Sequence, residues 1–376
     1  MKIGFLITYF YPFEGGAENN CFYLAKELAK THEIHVFTSD RKNNVILKKE
    51  EIIYNIHIHR SKTYFRYKYY LSFNPSLFKI LMFKLDILHV HGFGFIWHDI
   101  IILVKKLTSK TKIFCTPHGP FMALKDYTKK ERIFRRVITF IEKLTNKIYD
   151  KIIEVNPYQY KWLKEYGIKK EDVLFLPNGI PRELTKQVKS NEFIKKYKLE
   201  DKFIISYLGR IQKYKGIDQV LRILSKLKDI QSNILFLIMG KDAGDLTRIK
   251  QIIKTNNLEN YTKIIENISQ EEKFQALSSS EIFIFPSEWE AFGIVTLEAM
   301  AQSNAIIATK TEGSLFLVET QCGLLYDYNN IEQLFNCLKK LITNIKLRKK
   351  MQVYNKKKAK DFIWEEIAKK LERYYK

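Results

Sequence analysis

Along this chain, short apolar runs rich in Ile, Val and Phe alternate with stretches in which apolar residues recur every three or four positions. KIGFLITYF is followed by AENNCFYLAKELAKT and then by EIHVFTS. DILHVHG, a helical stretch near 95 to 108 and KIFCTPHG come next. A long helical stretch near 129 to 148, KIIEVN, another helix and VLFLPNG complete the series. Strand and helix in strict alternation predict an α/β fold, a parallel sheet with helices on both faces. The pattern restarts at FIISYLGRIQKYKG, with a helix from about 216 to 228, NILFLIMG, a helix near 245 to 256, KIIEN, EIFIFPS, one more helix and AIIAT. Between Pro181 and about Asp201 charged residues replace strand signals, so the break between two doubly wound domains is expected there. Such domains would face each other across a cleft, with ligands beyond the carboxyl ends of the strands. The last stretch, DFIWEEIAKKLERYYK, spaces Phe362, Ile363, Ile367, Leu371 and Tyr374 as a helix does.

Composition narrows the class. At 376 residues, with 46% apolar and 14% aromatic side chains, the chain can bury two cores and is not a disordered polymer. No apolar run approaches the ~20 residues that span a bilayer. The opening MKIGFLITYFYPF lacks a small-residue cleavage site and reads as a first strand, so a cytoplasmic protein is expected. Cys21, Cys115, Cys322 and Cys337 show no paired spacing and are expected to be small core residues. The net charge of +23 favours acidic partners, with denser basic patches at residues 60 to 70 and 129 to 136. Two classes remain: an enzyme acting on a phosphorylated substrate, or a non-enzymatic basic protein binding nucleic acid or anionic lipid through segments such as Tyr64 to Tyr70.

The candidate chemistry lies on loops that follow strands. In SEWEAFGIVTLEAMA, Glu290 and Glu298 stand eight apart. EIFIFPS reads as a buried strand, and the following helix is expected to begin with Phe292, Gly293 and Ile294. Glu290 then lies in the loop and Glu298 one turn inside the helix, roughly 6 to 8 Å along its axis at ~1.5 Å per residue. The amides of Phe292, Gly293, Ile294 and Val295 at a helix start suit a phosphate. Glu290 could hold a sugar and Glu298 a ribose; equally, the pair could be a solvated loop acid and an exposed helix residue. In GRIQKYKG, Arg210 and Lys215 frame another strand-to-helix turn, where a planar fork and a point charge can meet a diphosphate and stabilise it as it leaves. YPFEGGAE places Gly15 and Gly16 after the first strand, where backbone can approach a ligand, although this is not the dinucleotide fingerprint. TPHGPF sets His118 beyond a strand end, able to donate to a sugar hydroxyl or move a proton. His91, at the end of LHVHG, could touch an acceptor, whereas His89 reads as structural. No D-x-D occurs, so a divalent ion bridging a diphosphate to an acidic motif is not expected; no other cofactor is expected either.

Taken together, GGAE (15 to 18), PHG (117 to 119), PNGI (177 to 180), GR and KG (209 to 216), PSEWEAFGIVTLEAMA (286 to 301) and CGLLYD (322 to 327) resemble the family 4 retaining glycosyltransferases, the group with an E-x7-E motif, over nearly the whole chain. The resemblance implies the GT-B architecture: two Rossmann-like domains, 1–183 on the acceptor side and 201–358 for the nucleotide-sugar, with 359–376 a helix packing back on the first. It implies that Glu290 holds donor-sugar hydroxyls, Phe292 and Gly293 offer amides, Glu298 binds ribose, Arg210 and Lys215 hold the diphosphate, and His118 faces the sugar. It further implies metal-independent, front-face transfer of a hexose-type sugar from a UDP- or GDP-linked donor. The acceptor would be a glycan or lipid-linked molecule of cell-surface polysaccharide, glycolipid or glycoprotein synthesis. A peripheral contact with an anionic membrane is expected at the cytoplasmic face, and nucleic acid is not an expected partner. Two positions depart from the pattern. Glu312 and Gly313 stand where paired glycines are usual, and Glu266 or Asn267 where a glycine is usual.

Overall fold

The computed structural model describes the chain except residues 43–44, 68–70, 94–95 and 120–127. Its contacts divide the chain into two units: Met1–Asn178 together with Trp364–Lys376, and Gly179–Ile363.

The main sheet of the first unit has eight strands: β1 (Lys2–Leu6), β2 (Glu33–Ser39), β3 (Glu50–Ile53), β4 (Ile56–Ser61), β5 (Ile87–His91), β6 (Lys112–Thr116), β7 (Lys151–Glu154) and β8 (Val173–Phe175). Their order is β8-β7-β6-β5-β1-β2-β4-β3, and every pair is parallel except β3 with β4. Strands covered on both faces are buried along their whole length, as β5 is, where His89 and His91 are enclosed with Ile87, Leu88 and Val90. Two cores form, one around Phe5, Cys21, Leu24 and Val36 and the other around Leu88, Ile101, Ile113 and Cys115. The closing helix, Trp364–Tyr375, joins the first core through Trp364, Ile367, Leu371 and Tyr375, and Trp364 stacks on Tyr23 with ring centroids 5.6 Å apart. The short turn Ala359–Phe362 before it belongs to the second unit. β3 and β4 add strands where the hydropathy pattern had suggested none. In β4, Ile56 and Ile58 are buried while His57 and His59 are half-buried, a period-two pattern hidden by imidazoles that pack like aromatic rings.

The second unit holds β9 (Phe203–Leu208), β10 (Ile234–Met239), β11 (Thr262–Ile265), β12 (Ile282–Phe285), β13 (Ala305–Thr309) and β14 (Gly323–Tyr326). All are parallel in the order β11-β10-β9-β12-β13-β14. Winding reverses between β9 and β12, which lie side by side with Ile205 opposite Ile282, so the loops leaving both strands open at one place. The polar stretch from Pro181 to Asp201 is not structureless: it contains the helix Asn191–Tyr197, anchored by buried Phe193.

Candidate functional site

At that reversal, β9 is followed by Gly209 and Arg210, and a turn over Lys213–Lys215 leads into the helix Ile217–Lys228. Gly216 caps this helix with φ 65, and a Cβ there would lie 2.3 Å from the Pro286 carbonyl oxygen just after β12. Only glycine permits both the left-handed backbone and the approach of the two loops. The result brings Lys215 against Glu290 as an ion pair, both side chains nearly buried. The Lys215 ammonium also lies 4.7 Å from the Tyr214 ring centre and 5.4 Å from that of Phe285. Burial works against its charge, but the Glu290 carboxylate and Tyr214 outweigh that, and its pKa ends above the ordinary lysine value. Arg210 is exposed, and its Nη2 donates to the Tyr214 hydroxyl at 2.9 Å. Tyr207 in turn donates its hydroxyl to the Arg210 carbonyl at 2.8 Å.

The helix after β12 spans Ile294–Ala301. Phe292 and Gly293 therefore precede it and do not form its first turn. Gly293 is its cap at φ 81, in the left-handed region, where a Cβ would meet the Phe285 ring at 3.2 Å. No side chain caps this helix, so the first-turn amides of Ile294 and Val295 receive no acceptor from the cap residue. Gly313 holds the preceding loop: its amide donates to the Glu290 carbonyl at 3.0 Å, and a Cβ there would lie 2.4 Å from the Phe292 carbonyl oxygen. Phe292 is buried, with its ring 6.0 Å from that of Phe316 and 6.4 Å from that of Phe362. Glu298 is also buried and pairs with Lys273 at 2.8 Å, so it is not an exposed helix acid.

In the first unit, Gly15 caps the helix Gly16–Leu28 with no capping side chain. Its φ of 176 is extended and open to any residue, but a Cβ would run into the Glu18 carboxylate at 2.2 Å; at Gly16 a Cβ would meet nothing. His118 follows β6 at φ 60, an uncommon conformation for a residue with a Cβ. Its Nε2 lies 2.8 Å from Nδ1 of His91 and their rings stack. Burial lowers the His118 pKa to about 3, so the ring is neutral at pH 7 and acts as a hydrogen-bonding group. His91 is itself buried, which corrects the expectation that it reaches an acceptor: it is the floor on which His118 rests. His89 lies between the Tyr375 hydroxyl at 2.6 Å and Thr116 Oγ1 at 2.8 Å. Residues 68–70 of the aromatic and basic stretch Tyr64 to Tyr70 lie outside the described residues, as does the segment that follows Gly119.

The structure thus gathers Lys215 and Glu290 directly, Arg210 through Tyr214, and Phe292, Gly293, Ile294, Val295 and Glu298 along the adjoining loop and helix. Gly15, Gly16 and His118 stand at strand ends of the other unit. Sequence reasoning missed Tyr214 and Lys273, and singled out Gly313 only as half of a departure from the paired glycines usual there. Asn267 resolves one departure: its φ of 53 is the left-handed conformation that glycine favours and asparagine tolerates. Among the described residues, no three or more His, Cys, Asp or Glu side chains are grouped to hold a metal ion, and no helix is long and apolar enough to cross a membrane.

Residues 189–358 match the family model described as glycosyl transferases group 1, and residues 14–184 match that of glycosyltransferase family 4. The chain is 22% identical to the phosphatidylinositol N-acetylglucosaminyltransferase GPI3 subunit of Saccharomyces cerevisiae, over 98% of this chain and 81% of that protein. Among solved structures, sucrose-phosphate synthase from Thermosynechococcus elongatus superposes with a TM-score of 0.83 at 19% identity, covering 100% of this chain and 98% of that one. Anabaena HepE in complex with UDP-glucose gives 0.79 at 18% identity, covering 99% and 98%. These likenesses show the GT-B fold.

Proposed function

Because the chain belongs to the family 4, group 1 glycosyltransferases, we propose that it moves a hexose-type sugar from a UDP- or GDP-linked donor to a glycan or lipid-linked acceptor, with retention at the anomeric carbon. The observation that carries this reading is the buried Lys215–Glu290 pair beside the open start of the Ile294–Ala301 helix. A cation, a carboxylate and free amides at one strand-reversal point are what a sugar diphosphate offers partners for: anionic oxygens and hydroxyls.

In this mechanism Lys215 and Arg210 hold the diphosphate and take up the charge that develops as the nucleotide leaves. The amides of Phe292, Gly293, Ile294 and Val295 add donors to phosphate or sugar. Glu290 accepts from sugar hydroxyls, and Glu298, oriented by Lys273, accepts from ribose. Gly15 and Gly16 let backbone approach the donor, and neutral His118, steadied by His91, donates to the sugar. A donor phosphate oxygen helps deprotonate the acceptor on the face from which the nucleotide departs. The cations and amides do the work of a divalent ion, so EDTA is expected to leave turnover unchanged. The UDP-glucose complex of the HepE neighbour and the transferase names of the relatives support a nucleotide-sugar donor. Family membership sets aside the non-enzymatic reading of the +23 charge.

The test is release of nucleoside diphosphate from UDP- and GDP-sugars with candidate acceptors, the product's anomeric configuration being read by NMR. Retention, with release lowered by roughly 10² to 10³ in Glu290→Gln, is the expected result; an inverted product would overturn the mechanism.

A further inference from the structure

Tyr54 and Asn55 form the two-residue turn between β3 and β4, at φ 52 and φ 62. A hairpin turn with both central residues left-handed suits Asn-Gly or Gly-Gly and strains a residue with a bulky ring. The ring held there in spite of that strain is not buried: Tyr54 is 57% exposed. It meets the Phe22 ring edge to face, with centroids 5.8 Å apart, and the Lys26 ammonium lies 4.7 Å from its centre. Phe22 and Lys26 stand four apart on the helix Gly16–Leu28 and so share a face. Tyr11 stacks on the same Phe22 at 4.8 Å and 17°, and is 37% exposed. Its carbonyl oxygen accepts from Nη2 of buried Arg60 at 2.9 Å, which anchors the loop between β1 and Gly15. Three rings thus form one strip on the first unit, open at both tyrosines.

We propose that Tyr11, Phe22 and Tyr54, with Lys26, form a subsite for a saccharide chain, holding sugars of the acceptor glycan other than the one that reacts. A pyranose ring presents a face of axial C–H groups, slightly positive, that rests on the negative face of an aromatic ring while its hydroxyls project at the rim. Tyrosine offers both a flat apolar face and a polar edge, and it loses little freedom on binding. Lys26, beside Tyr54, supplies N–H donors for sugar oxygens. Two open rings joined through a third call for a run of sugars, so the acceptor is an oligosaccharide chain. A second copy of this protein is the poorer occupant: at 150–250 Å² per aromatic residue the open parts of the two tyrosines come to roughly 200 Å², against about 800 Å² per partner in a stable interface. That the bound chain is an acceptor rests on the proposed transfer reaction; the affinity for saccharide does not.

The full chain is titrated, by saturation-transfer NMR, with α-1,4- and β-1,4-linked glucose hexasaccharides and with glucose itself. At least one hexasaccharide should bind about tenfold or more tighter than glucose, and Tyr11→Ser and Tyr54→Ser should each weaken it by about fivefold to tenfold. Tyr54→Trp should keep the affinity. Tyr54→Gly should lose it while the melting temperature rises, because glycine relieves the left-handed turn; a ring kept only for stability would give the opposite shift. UDP and GDP are titrated alongside: saccharide binding that fails while a nucleotide still binds counts against this subsite alone, whereas loss of nucleotide binding counts against the donor reading. The subsite is overturned if neither hexasaccharide binds better than glucose, if the serine variants bind as the parent does, or if those variants instead dissolve a dimer seen by light scattering.

Discussion

Lys215 shows how two side chains of opposite sign can be kept nearly dry at a strand-reversal point. Each satisfies the other, and in the proposed function a donor would supply a phosphate for one and hydroxyls for the other. Glu290→Gln keeps the shape and removes the charge; transfer should fall by roughly 10² to 10³ in kcat, with the melting temperature held within a few degrees. Lys215→Ala is harsher, since it leaves a carboxylate without its partner, and loss of stability should accompany loss of turnover. Lys273→Met tests the other pair. If it orients Glu298 for ribose, the donor KM should rise about tenfold while kcat changes little; an unchanged KM would make the pair merely structural. Lys215 and Glu290 were legible in the sequence because each stands in a strand-turn-helix passage with glycine or proline as punctuation. Lys273 was not, because it sits on the separate Gln270–Ser278 helix and reaches Glu298 only through tertiary packing.

The elements around the site are held by backbone approaches that side chains would spoil. Gly313→Ala would push a Cβ into the Phe292 carbonyl, displacing the loop that carries Glu290. The expected cost is about 1–3 kcal/mol of stability, together with loss of nucleotide binding; a well-folded variant that binds normally would show the loop tolerates the shift. The strand ends and helices around this loop could be read from hydropathy, yet the start of its helix could not. Apolar spacing ran smoothly through Phe292 and Gly293, while the φ of 81 at Gly293 is a tertiary choice that the apolar pattern does not encode. A similar limit applies at the C-terminus. The helical spacing of Ile367 and Leu371 was plain, whereas the contact of the Tyr375 hydroxyl with His89 joins residues 286 apart. Tyr375→Phe should destabilise the first unit by about 1–2 kcal/mol, because it leaves a buried imidazole nitrogen without a partner.

Across the molecule, alternation of strand and helix gave away both sheets, while the charge of +23 pointed to anionic partners without saying which surface meets them. Acidity exposes a further whole-molecule property. Burial depresses His89, His98 and His118 to about 3, and His91 is depressed as well. A depressed folded pKa means neutral rings in the fold and protonated ones in the unfolded chain below about 6.5. Their contribution to stability is therefore full above that value and is lost as pH falls towards 3, by up to ~1.4 kcal/mol per pH unit for each ring. Asp99, raised to about 7 mainly by its own burial, works in the opposite sense: folding protects its proton, and stability falls as pH rises from 3.8 towards 7. Four imidazoles outweigh one carboxyl, so urea midpoints should fall between pH 7 and pH 5; a flat or rising midpoint would mean that these rings are not dry. The central claim, a nucleoside-diphosphate site built on Arg210, Lys215 and the Ile294 helix start, is tested most directly by calorimetric titration of the full chain with UDP, GDP, ADP and CMP. The account predicts saturable binding of UDP or GDP that vanishes in the Arg210→Ala, Lys215→Ala double variant. A folded protein that binds none of the four, or a double variant that binds as well as the parent, would contradict it.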